Sequence, residues 1–297
     1  MPNHSASSTI AWLIPIPNCS LESAQNSNLA SVRLRVALSA QKFTENGHNV
    51  EFTDGNTQNI PNILLVGKFN HTTDDKRLVR WTNYIDLCKQ HGTKIITDYT
   101  DNHAQSNGVT GDFYKDMLRK SDLIICSSKK LCAHVNSLGH ENTLLIEDPI
   151  EYQFIRPQNK GNNIKRALWF GHASNLQYFL DFVVKLKNFS LPLEIIALTN
   201  AYPLPDEILN KLNSILPESI DIKLVEWSHQ NMIEAAKISD FCIIPAGFND
   251  SKKDGASSNR LLTALTLGLP VLADPLDSYL EEHSQFVTSL SSCPTKP

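Results

Sequence analysis

The sequence alternates short apolar runs with helical patterns, and it does so in two successive series along its 297 residues. In the first series the apolar runs are TIAWLIPI, NVEFTD, NILLVGKF, TKIITDY and DLIICSS, and the segments between them carry apolar residues at helical spacing. The second series has the runs RALWFG, LEIIALTN, IDIKLV, DFCIIPA and PVLAD. Repetition of strand and helix in this order predicts parallel sheets with helices on both faces.

The two series are separated by residues 148–164, a stretch rich in Pro, Asn, Gly and charge that lacks a long apolar period. We therefore predict two doubly wound, Rossmann-like α/β domains, residues 1–150 and 151–297, that face a cleft. Ligands of open parallel sheets bind beyond the carboxyl ends of the strands. Functional residues are therefore expected in the loops at these strand ends.

Charge and cysteine content narrow the classes of function. The formal net charge is -4 and the charges are interspersed, which predicts no nucleic-acid partner. Six cysteines occur without a CxxC pair or a Cys/His spacing that suits zinc, which predicts free thiols in a reducing cytoplasm. The N-terminal segment lacks the basic region of a signal peptide, and its apolar run is too short to span a membrane. We expect a cytoplasmic protein whose only membrane contact, where it has one, is peripheral.

The stretch KKDGASSNRLLTALTLGLPVLAD, residues 252–274, places lysines and small polar residues ahead of a predicted helix that Ser257 or Ser258 is suited to cap. The unpaired amides and the dipole of a helix start bind phosphate, and the two lysines and Arg260 would add countercharge. The alternative is a solvated lysine loop followed by an ordinary helix cap. The predicted phosphate ligands in this stretch are Lys252, Ser257, Ser258, Asn259 and Arg260.

A second loop, WFGHASNLQYF, follows the first strand of the second series and leads into a helix. Gly171 would allow close approach of a ligand to the backbone, and Ser174 or Asn175 is suited to cap the helix. His172 has two interpretations, a contact to phosphate or sugar and a hydrogen bond within the turn. We predict Gly171, His172 and Ser174 as donor-binding residues.

Polar residues of the first series also follow predicted strands. Ser31 and Arg33 lie at the start of the first long helix, where we predict contact with an acceptor. The segment TDYTDNHA gathers Asp98, Asp101 and His103, which could hold sugar hydroxyls or take a proton. The same segment could instead form a turn closed by Asx capping.

Several catalytic motifs are missing from the sequence. It contains no Walker loop, HExxH, GxSxG or kinase signature, which disfavours phosphoryl transfer from ATP and serine hydrolysis. No DxD element follows a strand of the second series, so no metal ion is expected. These loops therefore favour the binding of a nucleotide or a sugar.

A resemblance to a known family rests on five segments and on their order along the chain. They are ASVRLRVALSAQKFTENGHNV, KSDLIICSSKKLCAHVNSLG, LLIEDPIE, RALWFGHASNL and ISDFCIIPAGFNDSKKDGASSNRLLTALTLGLPVLA. The sequence resembles the GT-B glycosyltransferases, particularly the glycosyl transferase family 1/family 4-like group. The resemblance implies a first domain for a glycan, lipid-linked glycan or small acceptor and a second for a nucleotide-sugar donor, which is a substrate, so that no cofactor is implied. It also implies a role in polysaccharide biosynthesis. Gly171 and residues 257–260 would then lie near the donor diphosphate, with Asp98, Asp101 and His103 facing the sugar.

The sequence departs from the family pattern at a pair of glutamates eight residues apart, whose positions hold Gly255 and Thr263. The second domain also looks shortened at its C-terminus relative to the family. Two alternatives to transfer therefore stay open. One is a nucleotide-sugar epimerase on the same fold, and the other is a non-catalytic protein that binds a nucleotide or glycan.

Overall fold

The computed structural model describes residues 8–69, 75–158, 161, 164–200, 214, 216–247, 253 and 255–289. The chain divides into two compact units. The first comprises Met1–Pro149 with Asp254–Ser257, and the second comprises Ile150–Lys253 with Ser258–Pro297. The described residues 255–257 are thus grouped with the first unit.

The described residues of the first unit form a parallel six-stranded sheet in the order β2-β1-β3-β4-β5-β6. Its strands are β1 (Thr9–Leu13), β2 (Asn49–Thr53), β3 (Ile63–Val66), β4 (Lys94–Tyr99), β5 (Leu123–Cys126) and β6 (Thr143–Leu145). Its helices are α1 (Leu21–Gln25), α2 (Leu38–Glu45), α3 (Asp75–Gln90), α4 (Val109–Lys120) and α5 (Lys129–Ser137), with a π-helical segment over Ser31–Ala37 and a 3-10 turn over His103–Gln105.

Side chains of β1 alternate between two cores. Ala11 and Leu13 pack in one buried cluster, whereas Ile10 and Trp12 pack in another on the opposite face. Because successive side chains of a strand point to opposite faces, a strand buried on both sides needs helices on both faces. The structure thus confirms the predicted parallel α/β architecture of this unit.

The described residues of the second unit also form a parallel six-stranded sheet, in the order β12-β11-β10-β7-β8-β9. Its strands are β7 (Lys165–Gly171), β8 (Leu193–Thr199), β9 (Ile220–Glu226), β10 (Phe241–Ile244), β11 (Val271–Ala273) and β12 (Val287–Ser289). Its helices are α6 (Leu176–Lys185), α7 (His229–Ile238), α8 (Asn259–Thr266) and α9 (Asp277–His283), with 3-10 turns over Ala173–Asn175, Leu186–Asn188 and Ser284–Phe286. The helix predicted from PDEILNKLNSIL, residues 205–216, lies largely outside the described residues, at positions 205–213 and 215.

The strand order of the second sheet shows where the loops at its carboxyl edge diverge. The chain builds outward from β7 to β8 and β9, then crosses to the other side of β7 for β10, β11 and β12. Loops that follow β7 and β10 at their carboxyl ends therefore run in opposite directions and leave a crevice, the usual ligand position in such sheets. Among the described helices, none is both long and apolar enough to cross a membrane.

Gly268 lies just after the C-terminal end of α8, and its replacement tests how tightly this unit is packed. Its φ is +77°, and an added Cβ would lie 2.6 Å from the carbonyl oxygen of Ile155. We expect Gly268→Ala to cost about 3 kcal/mol or more, since backbone strain adds to steric overlap. Gly47→Ala is the control, because φ there is +84° but nothing lies within 4 Å of the new methyl. Thermal melting should show a much smaller loss for Gly47→Ala; equal losses would contradict the packing described.

Candidate functional site

The crevice of the second sheet is bridged by a lysine. Lys253, in the segment after β10, donates from Nζ to Oδ1 of Asn175, which follows β7, over 2.7 Å. The same ammonium lies 5.3 Å from the ring centroid of Tyr178. A positive charge is thus held where the two loops diverge, which is where an anionic ligand of this sheet would bind.

The loop after β7 forms one tight turn. An added Cβ at Gly171 would lie 3.0 Å from the indole ring of Trp169 and 3.3 Å from Cβ of Asn175, so a larger residue would require these neighbours to shift by a few tenths of an ångström. The amide of Ser174 donates to Nδ1 of His172 over 3.2 Å. Asn175, one of the two predicted caps, is the N-cap residue of α6, but its side chain makes no capping hydrogen bond, and the 3-10 turn before it is capped by the side chain of His172. The donor-binding roles of Gly171, His172 and Ser174 stay predictions.

The start of α8 differs in detail from its prediction. Ser258 is the N-cap and is only 3% exposed, but its side chain makes no capping hydrogen bond to the first turn. Asn259 is the first helical residue. Arg260 hydrogen-bonds to Tyr279, and its Nη1 is buried without a partner among the described residues. Lys252 lies outside the described residues.

A buried ion pair lies at the carboxyl end of β4 in the first unit. Arg35 donates from Nε to both oxygens of Asp98, over 3.1 and 3.2 Å, and from Nη2 to Oδ1 over 2.5 Å. Burial raises the pKa of Asp98, against the opposing effect of the guanidinium. Burial lowers the pKa of Arg35, but Asp98 and Asp148 outweigh it, and the net shift is upward. Asp98 was predicted to face the sugar, and the structure shows it bonded to Arg35.

Asp101 and His103 lie together in the segment after β4. Lys68 contacts the Asp101 carboxylate, and Nε2 of His103 lies 3.7 Å from Oδ2 of the same group. The imidazole stacks on Tyr114, with ring centroids 5.0 Å apart and an interplanar angle of 19°. The structure therefore brings two of the three predicted sugar-side residues into one partly exposed cluster.

The predicted acceptor residues begin the π-helical segment, in which the amide of Leu38 donates to the carbonyl of Arg33. Ser31 is partly exposed, whereas Arg33 is buried and donates from Nη1 to the carbonyl of Ser27 over 2.7 Å. π-helical turns occur frequently at functional sites. The acceptor roles of both residues stay predictions.

Residues 255–257 are anchored in the first unit at two points. Oγ of Ser128 donates to the carbonyl of Gly255 over 2.8 Å, and Oγ of Ser257 donates to Oδ2 of Asp148 over 2.5 Å. Gly255 has φ of +79°, and an added Cβ would lie 2.8 Å from Cγ of Leu131. A glutamate at this position is therefore incompatible with the local packing.

Sequence reasoning missed Arg35, Asp148 and Lys68 as members of these clusters. The sequence gives little sign that Arg35 is special, because Arg33 and Arg35 both interrupt the same apolar helical pattern. Among the described residues, no group of three or more His, Cys, Asp or Glu side chains could hold a metal ion.

The substitution Gly255→Ala tests how strongly local packing restricts the residue type at position 255. We expect it to lower stability by about 3 kcal/mol or more, from strain at positive φ together with overlap on Leu131. In a Leu131→Ala background the further loss should be smaller, because the overlap is removed and only the strain remains. Gly139→Ala, with φ of +88° and nothing within 4 Å, is the strain-only control. Additive losses at 255 and 131 in thermal melts would show that the two positions do not interact.

No protein-family model matches this sequence, and no curated protein matches it. Solved structures do resemble it. AviGT4, a glycosyltransferase of avilamycin A biosynthesis, aligns at a TM-score of 0.57 and 11% identity over 95% of this chain and 83% of its own. A glycosyltransferase from Rickettsia africae aligns at a TM-score of 0.54 and 10% identity, over 96% of this chain and 84% of its own. Anabaena HepE, in complex with UDP and glucose, aligns at a TM-score of 0.53 and 11% identity, over 95% of this chain and 86% of its own. This chain has the two-sheet α/β fold of GT-B glycosyltransferases.

Proposed function

We propose that this protein is a glycosyltransferase that moves a sugar from a nucleotide-sugar donor to a hydroxyl of a glycan, lipid-linked glycan or small acceptor. The observation that carries the proposal is the Lys253–Asn175 contact at the crevice of the second sheet, on a fold shared with glycosyltransferases. One structure with this fold, Anabaena HepE, is described with UDP and glucose. The family 1/family 4-like assignment and a role in polysaccharide biosynthesis belong to the same proposal. The free thiols of the described cysteines suit a reducing compartment, and we propose the cytoplasm.

In the proposed mechanism the second unit binds the donor diphosphate. As the glycosidic bond breaks, negative charge grows on the leaving diphosphate. Lys253, Arg260 and the amides at the start of α8 would stabilise this charge more strongly in the transition state than in the bound substrate. These groups are part of the folded unit, so little reorganisation accompanies the reaction.

The first unit supplies the groups proposed to act on the acceptor. His103 is the best-placed base, because its ring is fixed by stacking on Tyr114 and its Nε2 faces Asp101. A neutral imidazole can take the proton of an attacking hydroxyl, and a nearby carboxylate stabilises the imidazolium formed. Asp98 is poorly suited to this role, since both its oxygens accept from Arg35.

A second candidate function is nucleotide-sugar binding without transfer. The observation that favours it is the packing of Gly255 against Leu131, which excludes a side chain where the family pattern has a glutamate. Thr263, at the other glutamate position, lies on α8 and carries no charge. Transfer by this protein would therefore proceed without either carboxylate.

Nucleotide binding at the crevice can be tested by isothermal titration with UDP, GDP, ADP and CMP, followed by their sugar derivatives. A ligand present at a hundred times its Kd stabilises a protein by about 2.7 kcal/mol, so thermal melts provide a first screen. We expect Lys253→Met to raise the Kd of the diphosphate that binds about tenfold, which corresponds to ~1.4 kcal/mol. Lys237→Met, which removes an exposed lysine near the end of α7, is the control. A Kd that both substitutions leave unchanged would remove Lys253 from the site.

Transfer and binding alone differ in their products. With the best-binding nucleotide sugar and a panel of glycan acceptors, a transferase releases the nucleoside diphosphate and forms a lengthened acceptor. His103→Gln should then lower kcat by about a hundredfold or more while KM for the donor changes little, as expected for loss of a general base. Tight donor binding without product under all conditions would favour the second candidate.

A further inference from the structure

A groove in the first unit has no role in the mechanism above. It has a volume of about 650 Å³ and lies between helix α3 and the loop that joins β2 to β3. Sites that bind small molecules have volumes of about 300–1,000 Å³, and this groove falls within that range. The residues that line it lie within positions 55–87, so the groove belongs to one unit.

The groove exists because the connection from β2 to β3 is short. Residues 54–62 form neither helix nor strand, and they join two parallel strands that β1 separates. A crossover between parallel strands usually has a dozen or more residues and contains a helix. The shorter connection leaves space beside one face of α3, along Lys76, Val79, Asn83 and Leu87, which recur at helical spacing.

Two side chains of α3 attach the loop to the helix. Arg80 donates from Nε to the carbonyl of Asp54 over 2.9 Å, and its Nη2 pairs with Oδ2 of the same residue over 3.1 Å. One turn further on, the hydroxyl of Tyr84 donates to the carbonyl of Asn59 over 2.8 Å. Burial raises the pKa of Tyr84, so the hydroxyl keeps this proton. The groove is thus held open before a ligand arrives, which lowers the entropic cost of binding.

The lining combines apolar surface with hydrogen-bonding groups. Val79, which is 57% exposed, and the partly buried Leu87 supply apolar surface. Asn83 is exposed and offers two amide protons and a carbonyl oxygen. On the loop, Oγ1 of Thr57 accepts from the amide of Asn59 over 3.1 Å, and the hydroxyl can still donate its own proton. A sugar ring matches this lining, because its faces are apolar C–H surface and its edge carries hydroxyls.

The groove is elongated along the helix. From Lys76 to Leu87 the helix rises about 16 Å, at 1.5 Å per residue. Gly55, at one end, follows β2 and therefore lies at the carboxyl edge of the first sheet. Asp101 and His103, which follow β4 of the same parallel sheet, lie at this edge too. A chain of several sugar units suits this length better than a single sugar.

We propose that this groove binds an oligosaccharide chain of the acceptor, with Val79, Asn83 and Thr57 in contact with its sugar rings. The inference deepens the proposed function, because it narrows the acceptor to an extended glycan, and the acceptor role rests on that function. Glycan binding as such does not rest on it, since the groove is built from the first unit alone.

Glycan binding is tested on the full chain without any nucleotide. A glycan array is followed by titration calorimetry with cellotetraose, maltotetraose and chitotetraose and with their monosaccharides. We expect at least one tetrasaccharide to bind about tenfold more tightly than its monosaccharide, because several units contact the groove. Val79→Trp, which fills the groove from an exposed position, should weaken this binding about tenfold, and Asn83→Ala about fivefold. Val184→Trp, at an exposed valine of α6, is the control.

Three results would overturn the inference. The first is a wild type that binds no glycan of the array or of the titrations. The second is an equal loss of binding in Val79→Trp and Val184→Trp, with thermal melts showing that both variants are folded. The third is binding of inorganic phosphate that Val79→Trp abolishes, which would show that the groove takes an anion instead of a glycan.

The outcomes also separate this inference from the proposed function. Glycan binding that Val79→Trp weakens, in a protein that binds none of the nucleotides or their sugars, would support the groove while the proposed transfer fails. Where transfer occurs, Val79→Trp should raise KM for the acceptor about tenfold and leave KM for the donor unchanged. Transfer with an unchanged acceptor KM in this variant would uphold the proposed function and overturn the inference.

Discussion

The ion pair between Arg35 and Asp98 is the interaction on which the carboxyl edge of the first sheet depends. Two buried charges are tolerated only when they are bonded to each other and their remaining donors find acceptors. Here the remaining guanidinium donors bond to the loop after β6, so that one side chain ties the carboxyl end of β4 to residues 146–148. The positions of Asp148 and Ser257 follow from this arrangement.

Much of the fold could be predicted from the sequence, because burial on both faces of a parallel strand leaves a continuous apolar run. Runs such as DLIICSS and DFCIIPA correspond to β5 and β10. The order of strands in each sheet is not visible in such runs, since it depends on which way each crossover returns. The grouping of residues 255–257 with the first unit was likewise not visible in the sequence, since it depends on the Ser128 and Ser257 hydrogen bonds and on the packing of Gly255 against Leu131.

The candidate site was predicted less well than the fold. Arg33 and Arg35 are both buried in the π-helical segment, but only Arg33 was predicted as a site residue, because nothing in the local sequence shows that Arg35 pairs with Asp98. Asp98 has the residue type and position of a sugar ligand, but its partner lies 63 positions away in the chain. Contacts between residues so distant in sequence leave no trace in local composition. Asp101 and His103, neighbours in sequence, are also neighbours in the structure.

The cap formed by His172 fixes the tautomer of its ring. A backbone amide can only donate, so Nδ1 must accept the hydrogen bond from Ser174, and the ring proton of the neutral imidazole lies on Nε2. The nitrogen remote from the cap is therefore a hydrogen-bond donor on an exposed side chain beside the crevice. In this tautomer the ring carries its N–H group at Nε2 while it remains neutral.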